Sequence, residues 1–166
     1  MIARVRLCLL ALGLVFLAPL APALALPAPM SEQELTDKSD LIATVRVLSV
    51  SCTVVTKDDK TGEELPAYLA KLRVLEVKKG DAKKGDEILV TWRAIPKGIV
   101  GPWTVYYYPG EVVQTHLVKR SGGVSYGSTW WNAKGDDIKA PESTELPKTP
   151  GETFTAPQDP ADQHPL

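Results

Sequence analysis

The chain has 166 residues, 20 acids against 19 bases, a formal net charge of −1 and 44% hydrophobic residues. Proteins that hold nucleic acid usually present clustered Lys and Arg, so this balance disfavours such a partner. Two cysteines and two histidines leave little material for a disulfide framework or for a metal site built on several His and Cys ligands.

The amino terminus opens on a short basic stretch with Arg4 and Arg6, continues in an apolar run from Leu7 to about Leu20, and ends in the small-residue segment Ala21-Pro22-Ala23-Leu24-Ala25. This three-part layout predicts a secretory signal peptide. The competing reading, a membrane anchor, falls short of the roughly 20 apolar residues a span requires, and Pro19, Pro22, Pro27 and Pro29 crowd its distal end. Cleavage after Ala23-Leu24-Ala25 removes residues 1–25 and predicts a mature start at Leu26, in the periplasm or outside the cell, with no integral membrane segment. The mature chain then has 166 − 25 = 141 residues and a charge of −1 − 2 = −3, because Arg4 and Arg6 leave with the signal. Cys8 leaves too. Cys52 is then the sole cysteine, and the fold must stand without an intramolecular disulfide.

After a linker at 26–30, Ser31 followed by Glu34 fits a capping box and predicts one short helix ending before Ser39-Asp40. From Leu41 the signals are β. The first strand, Leu41 to Val55, places apolar residues at odd positions (Leu41, Ala43, Val45, Val47) and then at even ones (Leu48, Val50, Cys52, Val54). A strand alternates faces with period two, so a change of phase predicts a bulge or sharp coil. The second strand, Tyr68 to Val77, switches in the same way between Val74 and Leu75. Two bent strands paired side by side suit a small, strongly curved barrel. Further strands are expected at Glu87–Trp92, Trp103–Tyr108, Val112–Lys119 and Val124–Trp131, the last two as a hairpin. The intervening Thr56–Pro66 reads as a polar loop. Its acidic residues Asp58, Asp59, Glu63 and Glu64 lack the alternating ligand spacing of a calcium loop. The Lys78–Asp86 connector reads as a surface turn. Residues 141–166 hold six of the fourteen prolines, five acids and one base, Lys148. That composition predicts a disordered tail over 139–166, leaving a single domain at 31–138.

Chemistry-bearing residues are few. His116 lies in a predicted strand and reads as a residue facing solvent or a polar neighbour; Cys52 reads as a small apolar core residue. A thiol- or metal-dependent site would need the two to meet in the fold. The best lead for a binding face is aromatic: Trp103, Tyr106, Tyr107, Tyr108, Tyr126, Trp130 and Trp131 all fall in the second half of the domain. Neighbours on a strand point to opposite faces, so these rings cannot all enter one core. The exposed ones either anchor a protein or stack on a sugar or base, or else they close the barrel ends.

The segments Ser39–Val47, Leu72–Gly80, Gly85–Val90, and Pro109-Gly110-Glu111 followed by Leu117-Val118-Lys119 resemble bacterial secreted domains similar to the netrin-like module and to tissue inhibitors of metalloproteinases. The resemblance covers roughly residues 31–135 and implies a five-stranded OB-like barrel. It does not carry metalloproteinase inhibition, because the animal inhibitors act through a disulfide-locked amino-terminal cysteine and this chain's Cys52 lies inside a strand. The expectation is therefore an all-β fold: a small five-stranded OB-like barrel with one short N-terminal helix and a disordered tail. Its expected function is that of a non-catalytic exported module, with neither cofactor nor metal, that recognises a protein or glycan of the cell envelope. The candidate binding residues are Trp103, Tyr106, Tyr108, Tyr126, Trp130 and Trp131. Alternatives are an envelope structural or assembly factor that uses the C-terminal tail, and a metal- or thiol-dependent protein built on Cys52 and His116.

Overall fold

The computed structural model describes residues 27–98 and 104–158, so the expected signal peptide at 1–25, Trp103, and the tail beyond residue 158 lie outside the described residues. Helix α1 (Glu32–Lys38) begins where the sequence places it: Ser31 Oγ accepts from the Glu34 amide, and the Glu34 carboxylate accepts from the Ser31 amide. This reciprocal pair satisfies two amides that helix geometry leaves without partners. Leu35 is the helix's buried residue, and Ser39 stops the helix by donating its hydroxyl to the Leu35 carbonyl. No described helix is long and apolar enough to cross a membrane.

Strands β1 (Leu41–Lys57) and β2 (Glu64–Lys79) form a long antiparallel hairpin. Both phase switches are bulges. Val47 pairs with Leu72 and Ser49 with Lys71, so Leu48 is the extra residue; Thr44 pairs with Glu76 and Val45 with Val74, so Leu75 is the other. Across the Leu48 bulge the buried positions change from Ala43, Val45 and Val47 to Val50 and Cys52, which keeps one strand facing one core while its direction turns. A further shift between Cys52 and Val54 turns Val54 outward, ending the even-numbered run. Gly80, at φ 104°, lets the chain leave β2 against Asp40, whose carbonyl oxygen would lie 2.5 Å from any Cβ at that position.

Strand β3 (Glu87–Arg93) pairs antiparallel with β2, β4 (Val112–Lys119) with β1, and β5 (Tyr126–Ser128) with β4. A parallel contact between Val90 on β3 and Tyr126 on β5 completes the ring β1-β2-β3-β5-β4-β1. This is a closed five-stranded OB-like barrel, with Val45, Val47, Leu72, Val74, Val90, Val113 and Leu117 fully buried inside. Two strands are added to its rim: β6 (Lys134–Lys139) on the first half of β4, and β7 (Thr153–Thr155) on the second half of β1.

Four expectations are corrected. Of the strand expected at Trp103–Tyr108, the described part, 104–108, is extended but outside any ladder. Its main-chain groups are met by side chains instead: Lys134 Nζ donates to the Tyr106 carbonyl, and the Tyr108 amide donates to Glu111. The strand expected at Val124–Trp131 shrinks to Tyr126–Ser128, because Val124 sits in the Arg120–Ser125 turn and Trp130–Ala133 closes another. The Thr56–Pro66 loop is shorter than expected: Thr56, Lys57 and Glu64 to Pro66 belong to the hairpin ladder, which leaves residues 58–63 as the loop. Finally, the tail is not disordered from residue 139: it continues β6 and then docks through β7, with further bonds from Ala156 N to Leu48 O (2.8 Å) and from Arg46 Nη2 to Pro157 O (2.7 Å). Its poor composition is offset by main-chain bonding to an otherwise open stretch of β1.

Candidate functional site

Tyr106 and Tyr108 point to one side of their segment and Tyr107 to the other. Tyr107 is fully buried, its hydroxyl 2.6 Å from Thr115 Oγ1 and 3.3 Å from Ser128 Oγ, and its ring meets Trp92, which stacks in turn on Tyr68. Burial pushes the Tyr107 phenol up to about 12.

The Tyr108 ring borders a buried ion pair, to which Tyr106 contributes its main-chain carbonyl, while the half-buried Tyr106 phenol meets the Ile95 backbone. The Pro109-Gly110 turn, with Gly110 at φ 88°, brings Glu111 inward; its carboxylate is wholly buried, 2.6 Å from Lys134 Nζ, and accepts from the Tyr108 amide. Lys134 Nζ lies 5.4 Å from the Tyr108 ring centre and 5.8 Å from that of Tyr107, within cation–π range. Desolvation raises the Glu111 carboxyl above its ordinary range, and the Lys134 ammonium opposes that rise. The pair fastens β6 to the β3–β4 connection. Tyr126 is half-buried at the β3–β5 junction.

Trp130 and Trp131 form part of a different feature, a cleft of about 280 Å³ beside the β3–β5 junction. Its walls are Thr91 and Trp92 of β3, Thr104 and Val105, Arg120 at the start of the β4–β5 connection, Ser128 of β5, and Thr129 to Trp131. The Trp92 and Trp131 indole nitrogens are buried and make no hydrogen bond. Such a donor costs roughly 1–3 kcal/mol when left unsatisfied, so two beside one cleft mark a place where stability has been given up. Trp130 differs: its N–H donates to the Ala28 carbonyl at 3.2 Å, while Asn132 exchanges bonds with Met30, so the turn holds the segment entering α1. The Arg120 guanidinium lies over Gly127, where a Cβ would come within 2.5 Å of its Cζ.

Of the six candidate binding residues, the structure thus brings Trp130 and Trp131 together, sets the Tyr108 ring and the Tyr106 carbonyl at the ion pair, puts Tyr126 at the strand junction and does not describe Trp103. Trp92 and Arg120 escaped sequence reasoning. Trp92 read as the end of a core strand, and a basic residue before Ser-Gly-Gly carries no distinctive signal.

Cys52 and His116 are far apart in the barrel. His116 sits opposite Ile42, and Cys52 follows 52 − 42 = 10 residues further along β1. The thiol is buried, and desolvation together with the nearby Glu152 carboxylate raises its pKa, which suits an inert core residue. His116 is buried with Nδ1 3.3 Å from the Ala133 carbonyl and Nε2 3.4 Å from Glu32 Oε1, the latter without hydrogen-bond alignment. No cluster of three or more His, Cys, Asp or Glu side chains suited to a metal occurs among the described residues. Compared with protein-family models, curated proteins and solved structures, the chain matches none.

Proposed function

We propose that the protein is a non-catalytic exported binding module, netrin-like in organisation, that takes a glycan of the cell envelope into the tryptophan-lined cleft. The observation that carries this reading is the pair of buried, unpartnered indole donors at a cleft sized for one sugar ring. Aromatic walls and polar tips are the usual lining of small binding sites. The cleft also adjoins the β4–β5 connection, one of the regions OB-type barrels use for oligosaccharides and oligonucleotides, and the near-neutral charge argues for the former.

A second reading, an envelope assembly factor, is favoured by β7: Thr153–Thr155 bonds to β1 mainly through its backbone, a mode of pairing that another extended chain can imitate. Titrating the ¹⁵N-labelled protein with a panel of neutral and acidic oligosaccharides separates the two. The glycan reading expects the indole signals of Trp92, Trp130 and Trp131 to move on titration; a panel that leaves all of them unmoved overturns it. A perturbation confined to the β1 amides when an extended peptide is added supports the second reading.

A further inference from the structure

We infer that the cleft selects a carboxylate-bearing sugar, with the Arg120 guanidinium as the group that meets the carboxylate; this rests on the glycan reading above. Among the described residues the lining contains a single charged residue, Arg120, and no acid. The hydroxyls around it are already engaged: Thr91 with the Tyr126 carbonyl, Thr104 with the Arg93 carbonyl, Ser128 with Tyr107 and Thr129 with Ser39. What the cleft retains is donor capacity. The Arg120 side chain has five donor hydrogens, and its one hydrogen bond among the described residues is a long one, from Nη2 to the Thr91 carbonyl at 3.4 Å. No carboxylate among the described residues pairs with it. A site of unspent donors with one positive charge and no negative charge is complementary to an oxyanion.

Charge disfavours a phosphate monoester, and the planar fork favours a carboxylate. A phosphate monoester carries about −1.5 to −2 near neutral pH, more than one guanidinium balances, whereas a carboxylate carries one charge and matches the planar fork in two parallel bonds. The remaining wall, Trp92, Val105, Trp130 and Trp131, suits the carbon face of a ring. A volume of about 280 Å³ equals that of about nine waters, room for one such ring.

Gly127 makes the inference specific. It has no positive φ, so its lack of a side chain is not explained by backbone conformation; the guanidinium occupies the space a Cβ would take. Gly127→Ala should push Arg120 off its seat while keeping its charge, and the atoms that must move belong to the end of a flexible side chain.

The test uses the full chain and isothermal titration with trigalacturonate, its methyl ester, oligosaccharides ending in glucuronate or N-acetylneuraminate, chitotriose, a sulfated disaccharide and inorganic phosphate. At least one carboxylated sugar is expected to bind about tenfold or more tighter than its neutral counterpart, the margin that one charge-assisted pair supplies. Arg120→Gln should erase that margin, Arg120→Lys should restore part of it, and Gly127→Ala should reduce it with thermal stability unchanged. Equal binding of acidic and neutral sugars, unaltered in Arg120→Gln, overturns the carboxylate while leaving the glycan reading intact. Tighter binding of sulfate or phosphate overturns it in favour of another oxyanion. If no sugar of either kind binds, both readings fall.

Discussion

Two places in this barrel put a cation and polar hydrogens among aromatic rings, and they are finished differently. Around Glu111 and Lys134 the main polar groups have partners: the ammonium has a carboxylate at 2.6 Å and a carbonyl at 3.0 Å, and the carboxylate also takes the Tyr108 amide. At the cleft, two indole hydrogens have none, and Arg120 makes one long bond to a carbonyl. Buried polar groups that are satisfied hold a structure together, whereas unsatisfied ones cost stability and call for an explanation. The contrast marks the first cluster as architecture and is the ground on which binding is proposed for the second.

The strongest way to break this contrast is to unbalance the satisfied pair. Lys134→Met leaves Glu111 buried without its cation, a change that costs about 3–5 kcal/mol in comparable buried pairs. Its sign with pH follows from the raised carboxyl: a folded-state pKa above the unfolded one favours folding in acid and loses that contribution as pH rises through the folded value. Chemical denaturation should therefore find the deficit of Lys134→Met large at neutral pH and smaller in acid. A deficit below about 1 kcal/mol at neutral pH would put the pair in the class of surface bridges and remove its architectural role.

A smaller effect is expected at Tyr107, whose ring separates the two regions. Tyr107→Phe deletes a hydroxyl bonded to Thr115 and Ser128 and should cost about 1 kcal/mol near pH 7. The alkaline limb has the opposite sign. An unfolded tyrosine ionises near 10 while the folded phenol holds its proton to about 12, so the native protein loses stability between those values, by up to about 3 kcal/mol. The phenylalanine variant lacks this loss, and denaturation curves at rising pH should show the gap close and then reverse. Parallel curves to pH 12 would contradict the closed environment assigned to the hydroxyl.

The finished region was partly legible in the sequence, and the open one less so. The bulges at Leu48 and Leu75 could be read because a barrel interior forces apolar residues to change phase where the strand turns. Strand β6 gave no alternation, since Lys134 to Lys139 pairs with β4 through its backbone and exposes most of its side chains. Strand β7 was hidden behind a composition typical of disorder, because main-chain bonds to β1 do not depend on side-chain hydrophobicity. Glu111 stood in a turn motif with nothing to indicate total burial. The adjacency of Trp130 and Trp131 showed only that both rings cannot enter one core; the expected strand placement was wrong, and a turn carries both half-buried rings. Neither Arg120 nor the unpaired state of the Trp92 indole had a local signature, because both arise from contacts closed by three strands and two connections.

The smallest expected effect sharpens the contrast most directly, because it repeats the Tyr107 edit at the cleft. Trp131→Phe also removes one buried polar hydrogen, but a hydrogen with no partner, so no bond is lost and an unmet desolvation cost disappears. Against this stands the loss of part of a half-buried ring, at about 25 cal/mol for each Å² of apolar surface removed from contact. The two terms oppose each other, and the net change should fall below that of Tyr107→Phe, within about 0.5–1 kcal/mol of zero. Thermal and urea denaturation of the two variants side by side supply the check. A cost for Trp131→Phe well above that for Tyr107→Phe would mean that the Trp131 indole is as fully committed to the fold as the Tyr107 hydroxyl, and the cleft would lose the feature that marks it as a site.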